Sequence, residues 1–95
     1  MTQVEARVPT ARGGRYVQQL CSHWERKLPV ETEGDCGVVT LVGAVATMKA
    51  DAEAIAVSVR GADRQQLDHL KEVIARHIDR FALREAPLRY DWAWV

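Results

Sequence analysis

A chain of 95 residues has room for one domain with a single hydrophobic core, so we expect residues 1–95 to fold as one unit. Its 13 basic and 13 acidic residues cancel and form no basic cluster, which excludes the electrostatic footprint of a nucleic-acid-binding protein. No apolar run approaches the roughly 20 residues of a membrane span, and the start of the chain lacks a secretory pattern. We therefore expect a cytoplasmic protein whose two cysteines are reduced thiols.

The first third of the chain predicts a strand followed by a helix. Residues 4–8 alternate apolar and charged side chains, which is the period of a strand with one buried face. Residues 17–28 carry apolar side chains at helical spacing, and Thr10 is placed to cap this helix. Gly13 and Gly14 each weaken the first turn by about 1 kcal/mol relative to alanine, so we expect the helix to fray or start late.

The middle of the chain predicts an antiparallel meander. Residues 30–33 alternate weakly before a Gly-Asp turn signal, and residues 38–42 and 45–49 are rich in β-branched and apolar side chains. Residues 55–59 alternate again, and the short links imply antiparallel neighbours. An alternative joins the second and third of these segments into one bent strand with a bulge at Gly43.

A long helix is predicted from Asp63 to Glu85, and an aromatic segment follows it. Asp63 is the expected N-cap, with a glutamine three residues later that completes a capping box. His77 falls inside the apolar arc of this helix, so we expect it to face the core. The last segment is predicted as a strand because alternate positions are large and apolar, namely Leu88, Tyr90, Trp92 and Trp94.

These elements follow the order β-α-β-β-β-(β)-α-β. Two amphipathic helices each need an apolar surface to cover, and an antiparallel sheet with one buried face provides it. We therefore predict an α+β two-layer sandwich in which two helices pack on one face of an antiparallel sheet of four to five strands. The other face of the sheet is left to water or to a second copy of the chain.

Several runs of residues are shared with a known family. They are Ala6-Arg7-Val8-Pro9-Thr10, Arg15-Tyr16, Leu20-Cys21-Ser22-His23-Trp24, Lys49-Ala50-Asp51, the run from His77 to Glu85, and Asp91-Trp92. The most specific parts are Cys-x-His-Trp in the first helix and His-x-x-Arg-Phe-x-x-Arg-Glu in the second. Over nearly its whole length the chain resembles the bacterial family called domain of unknown function 2218. The resemblance implies no established activity, and it implies a context beside siderophore-interacting proteins of bacterial iron metabolism.

Two kinds of chemistry are suggested by the cysteine and histidine residues. Cys21 and His23, with His77 or His69, are good zinc or iron ligands, but positions i and i+2 of a helix diverge by about 200°. We therefore predict no metal site and no cofactor. Cys21 beside His77 would make a nucleophile and base, but the sequence shows no third member and no oxyanion loop, so an enzyme remains uncertain.

A group of aromatic and cationic side chains points instead to ligand binding. Tyr16 and His23 lie at the rim of the first helix, Arg80 and Arg84 flank the second, and Trp92 follows soon after. If the two rims face each other, they enclose a pocket suited to an anionic aromatic ligand such as a catecholate. The residues predicted to bind the ligand are Tyr16, Cys21, His23, Trp24, His77, Arg80, Arg84 and Trp92.

We therefore predict a non-catalytic accessory domain that binds a small anionic or aromatic ligand or a protein partner, in the context of iron-siderophore handling. The alternative is a structural or interaction module that forms a homodimer through the open sheet face or the aromatic C-terminal strand. A small enzyme that depends on cysteine and histidine is the third reading. Binding to nucleic acid or to a membrane is not expected.

Overall fold

The computed structural model describes all 95 residues and contains six strands and two helices. In chain order they are β1 (Thr2–Pro9), α1 (Gly13–Trp24), β2 (Val30–Glu33), β3 (Cys36–Leu41), β4 (Ala44–Ala50), β5 (Ala54–Gly61), α2 (Arg64–Phe81) and β6 (Ala93–Trp94). All six strands join one antiparallel sheet in the order β2-β3-β4-β5-β1-β6. Both helices pack on this sheet, which confirms the predicted α+β class.

The sheet is a meander to which the first and last strands are added. Strands β2 to β5 are consecutive neighbours, as the short connections predict. Strand β1 then pairs with β5, with Val4 opposite Val59, and β6 pairs with the other edge of β1, with Val4 opposite Trp94. The N-terminal strand is therefore paired along its whole length with β5 on one side and over two residues with β6 on the other, both far away in the sequence.

One face of the sheet is buried and the other is polar. The core is a single cluster of 20 buried side chains between the sheet and the helices, as expected for a chain of this length. The opposite face exposes charged side chains, among them Glu5, Arg7, Lys49 and Arg60. Antiparallel sheets commonly have one face that is solvated in this way, and the face needs no covering layer.

Gly43 separates β3 from β4. Its φ of +76° lies in the left-handed region that favours glycine, and it forms a two-residue turn with Val42 that leaves Leu41 paired with Ala44. The alternative of one bent strand with a bulge at this position is therefore wrong.

Helix α1 begins at Gly13, and its first turn lies very close to the sheet. A residue without a side chain is therefore favoured at this position. A Cβ atom at Gly13 would be 2.7 Å from Cγ1 of Ile55, so a larger residue would push the helix away from β5. Thr10 is not the N-cap of this helix, as was predicted, because its hydroxyl group donates to Glu85 and accepts from the backbone N–H of Arg12. Arg12 holds the N-cap position without a side-chain hydrogen bond.

Helix α2 has the predicted start but ends four residues earlier than Glu85. Oδ1 of Asp63 accepts the N–H of Gln65 at 2.9 Å and that of Gln66 at 3.4 Å, which confirms the N-cap. The Gln66 side chain donates to the carbonyl of Val42 instead of completing the capping box. The helix stops at Phe81 because the chain turns to bring Glu85 back onto α1. Neither helix is long and apolar enough to cross a membrane.

His77 lies at the junction of the two helices and is half-buried, so the expectation that it faces the core is only partly met. The positions that do face the core are Leu67, Ile74 and Ile78, all fully buried. On the helical wheel His77 lies about 60° from Ile74. It is turned toward α1, where its ring packs on Trp24 with 5.0 Å between centroids.

The C-terminal segment packs on the flank of α2 that faces away from α1. Oδ1 of Asp79 accepts the N–H of Leu88 at 3.0 Å and the hydroxyl of Tyr90 at 2.9 Å, and this hydroxyl also lies 3.1 Å from the carbonyl of Ala75. These bonds hold residues 88–90 to the helix, and only Ala93 and Trp94 reach β1 as a strand. The alternation of large apolar and exposed positions was predicted, but the strand is two residues long.

We expect removal of residues 90–95 to destabilise the protein. The deletion uncovers a flank of α2 and leaves Asp79 with one of its two hydrogen-bond donors. Loss of partly buried aromatic side chains should lower the free energy of unfolding by about 3 kcal/mol or more, measured by urea denaturation. The control is Arg89→Ala, because Arg89 and its partner Asp91 are both exposed and the change should stay within about 0.5 kcal/mol. A truncated protein as stable as the full chain would show that the aromatic segment does not support α2.

Candidate functional site

An open cleft lies between the start of α1 and the segment that follows α2. It has a volume of about 950 Å³ and we call it the arginine cleft, because three arginines line it, Arg12, Arg15 and Arg84. Apolar atoms come from Phe81 and Leu83, and Leu83 is 81% exposed although it is a large hydrophobic residue. The cleft thus combines positive charge with an accessible apolar wall.

A hydrogen-bond cluster adjoins this cleft at Tyr16, which is one of the residues that line it. The hydroxyl of Tyr16 donates a short hydrogen bond to the carboxylate of Glu85, and the hydroxyl of Thr10 lies 3.0 Å and 3.1 Å from the two carboxylate oxygens. The bond to Glu85, followed by burial, raises the pKa of Tyr16, and the nearby Arg12 opposes this shift in part. Tyr16 is therefore a neutral hydrogen-bond donor at pH 7, and its hydroxyl is engaged by the protein itself.

Three carboxylates lie in or beside the arginine cleft, because Asp35 and Asp51 line it and Glu85 bonds to Tyr16, which also lines it. Glu85 accepts from two hydroxyl groups, as described. Oδ1 of Asp51 accepts the backbone N–H groups of Glu53 and Ala54 at 2.7 Å and 2.9 Å, which lowers the pKa of Asp51. The carboxylate of Asp35 lies against Gly14 at the N-terminal end of α1, where a negative charge is favourable. Each of the three acidic groups has a structural role.

The arginines of the cleft, by contrast, have no anionic partner. Three salt bridges occur in the structure, Arg7–Glu53, Lys71–Asp68 and Arg89–Asp91, and none of them involves an arginine of the cleft. Arg12, Arg15 and Arg84 are all exposed. Three guanidinium groups therefore line one cleft without a salt bridge, and Arg12 also interacts with the hydroxyl of Tyr16.

The structure brings together only some of the residues that the sequence suggested for ligand binding. Tyr16 and Arg84 line the arginine cleft. Arg80 is exposed outside it, and Trp92 stacks on Tyr90, whose hydroxyl bonds to the opposite flank of α2. The expected enclosed pocket between Trp92 and the first helix is therefore not formed.

The other suggested residues lie in the core or between the helices. Cys21 and Trp24 are 1% and 6% exposed and belong to the hydrophobic core. His23 is exposed and packs on His77, at 5.9 Å between centroids, and edge-on against Phe81, at 6.1 Å. Phe81 is therefore the side chain that connects this histidine pair with the arginine cleft.

Cys21 is poorly suited to nucleophilic chemistry. Burial, followed by repulsion from Glu25, raises the pKa of its thiol, so the thiolate that would attack a substrate is disfavoured at pH 7. A Cβ atom at Gly37 would collide with its sulfur, which shows how tightly α1 packs on β3 at this point. No three His, Cys, Asp or Glu side chains converge on a site that could hold a metal ion.

Sequence reasoning missed Arg12, Arg15 and Phe81 as residues of the cleft. Arg12 and Arg15 flank the glycine pair at the helix start, and only Arg15 stood out in the sequence, as part of a run shared with the family. Two runs shared with the family could have indicated this site, because Arg15-Tyr16 and the run from His77 to Glu85 both contribute lining residues to the arginine cleft. What the sequence could not show is that α2 ends early and folds back onto α1.

We expect Tyr16→Phe to destabilise the protein by about 1 to 2 kcal/mol at pH 7, since it removes a hydrogen bond to a carboxylate. The folded state raises the pKa of Tyr16, so this stabilisation is complete below about pH 10 and is lost as the pH rises through the folded value. The difference between wild type and variant should therefore narrow above pH 10. Urea denaturation at pH 7 and pH 10.5 measures it.

A double-mutant cycle with Glu85→Gln gives the control. Tyr16→Phe and Glu85→Gln should show a coupling free energy, whereas Tyr90→Phe, which removes a hydroxyl bonded to Asp79, should be additive with Glu85→Gln. Additivity of Tyr16→Phe with Glu85→Gln would contradict the role assigned to this pair.

Comparison with known proteins places this architecture in a family. The chain matches, over residues 5–93, the family model described as "Uncharacterized protein conserved in bacteria (DUF2218)". It is also similar to the NMR structure of PA4090 from Pseudomonas aeruginosa, with a TM-score of 0.80 and 26% identity, over 100% of this chain and 96% of that chain. Comparison with curated proteins found no match. The resemblance carried by the motifs of the two helices is thus confirmed, and this chain belongs to the DUF2218 family of uncharacterized bacterial proteins.

Proposed function

We propose that this domain is a non-catalytic binding domain and that the arginine cleft takes a small anionic ligand. The observation that carries the proposal is the imbalance of partners in the cleft. Two of the carboxylates in or beside it, Glu85 and Asp51, accept hydrogen bonds from hydroxyl groups and from a turn, while Arg12, Arg15 and Arg84 have no salt bridge. Guanidinium groups bind carboxylates and phosphates through paired N–H donors, so an anion is the ligand chemistry that this cleft supports.

The apolar wall narrows the class of ligand. Phe81 and the exposed Leu83 offer a surface against which a flat or apolar body can lie, while its anionic group meets the arginines. An aromatic carboxylate or catecholate has both parts. Such a ligand also fits the siderophore context that the family resemblance implies. The proposal agrees with that context but does not depend on it.

Catalysis gains no comparable support. The pKa of Cys21 is raised, and the hydroxyl of Tyr16 is engaged by Glu85, so neither group is prepared as a nucleophile or base at pH 7. The homodimer alternative would use the open sheet face, whose exposed side chains are largely charged or polar and do not form the apolar centre of a stable interface.

Thermal denaturation with three probes tests the proposal, namely 2,3-dihydroxybenzoate, flavin mononucleotide and inorganic phosphate. A ligand at ten times its Kd should stabilise the protein by about 1.4 kcal/mol, which raises Tm by about 6–11 °C for a domain of this size. We expect 2,3-dihydroxybenzoate to give the largest shift, because it carries both an anion and a ring.

Arginine variants show whether a shift arises in the cleft. Arg15→Ala and Arg84→Ala should each reduce the shift, and the variant with both changes should abolish it. The matched control is Arg80→Ala, because Arg80 is an exposed arginine near the end of α2, four residues before Arg84, but outside the cleft. Absence of a shift with all three probes, or an unchanged shift in the double variant, would refute the proposal.

A further inference from the structure

His23 and His77 meet at the junction of α1 and α2. Their ring centroids are 5.9 Å apart and their planes are inclined by 42°. The third histidine, His69, is exposed two turns earlier on α2 and packs on neither ring. None of the three histidines lines the arginine cleft, so the pair is a feature separate from the anion site.

The protein fixes the orientation and the tautomer of His77. Its Nδ1 lies 2.7 Å from the carbonyl oxygen of Val73. A carbonyl oxygen only accepts, so Nδ1 carries the ring proton and Nε2 keeps a free lone pair. The ring also packs on Trp24 at 5.0 Å. Histidines that bind metal ions are commonly held in this way, with the other ring nitrogen bonded to a backbone carbonyl.

The spacing of the two rings suits a shared ion. A divalent ion about 2.0 to 2.1 Å from each ligating nitrogen separates the centroids of two imidazoles by about 5 to 6.5 Å. The observed separation of 5.9 Å lies within this range. His23 is exposed, so water has access to the remaining coordination positions. Neutral imidazole is a preferred ligand of zinc, nickel and copper ions.

We propose that His23 and His77 form a two-histidine site for a borderline divalent ion such as Zn²⁺, with water completing its coordination. Cys21 does not take part, because the turn of α1 that places His23 at the surface directs Cys21 into the core against Gly37. With two protein ligands the site is weaker than a closed structural zinc site. The ion therefore exchanges with solvent, and the chain folds without it.

Calorimetric titration of the metal-free full chain with Zn²⁺ at pH 7.5 tests the proposal. We expect one saturable ion per chain in the wild type. His23→Ala should weaken binding by about tenfold or more, and the fold should persist because the side chain is exposed. His69→Ala is the matched histidine control and Cys36→Ser is the thiol control, and both should bind Zn²⁺ as the wild type does. Circular dichroism should be the same with and without a chelator.

The proposal is overturned if the wild type shows no saturable binding, if His23→Ala binds as tightly as the wild type, or if Cys36→Ser abolishes binding.

Discussion

The carboxylate of Glu85 joins the two helices of this fold. Tyr16 is 4% exposed, and its hydroxyl group accordingly finds a hydrogen-bond partner within the protein. Glu85 reaches that hydroxyl because α2 stops at Phe81 and the chain turns back toward α1. The same turn places Arg84 and Leu83 beside the start of α1, so the contact between Glu85 and Tyr16 also positions one wall of the arginine cleft.

The architecture could be predicted from the sequence because its determinants are local. Alternation with period two identifies the strands, apolar spacing of three and four identifies the helices, and Asp63 marks the start of α2. The alternation of inward-facing and outward-facing residues in the last segment was also predicted correctly, with Leu88 buried and Arg89 exposed. What failed was the extent of two elements. Asp79 draws the tail onto α2 and Glu85 draws the helix end onto α1, and hydrogen bonds between distant residues leave no periodic signal.

The candidate site was predicted less well than the fold, for a related reason. Periodicity places a side chain on a face of its own helix, but it does not give the rotation of one helix against the other. Helix α2 presents one flank to α1 and the other to the C-terminal segment, so His77 and Trp92 lie on opposite sides of it. Tyr16 and Arg84 were found because the sequence pattern places each of them beside the apolar face of a predicted helix. Arg12 and Arg15 were missed because an unpaired guanidinium group can be recognised only when its neighbours are known.

The two outermost strands determine whether the sheet can grow by adding a strand from another molecule. A free sheet edge is a template for such pairing, and natural proteins block it with charge or with very short strands. Three of the four residues of β2 are exposed, and two of them are Glu31 and Glu33, so two copies meeting along this edge would bring like charges together. At the other edge, Ala93 and Trp94 offer only two residues of strand. The charges of β2 and the shortness of β6 thus both disfavour edge-to-edge pairing of this sheet, although one of its faces is uncovered.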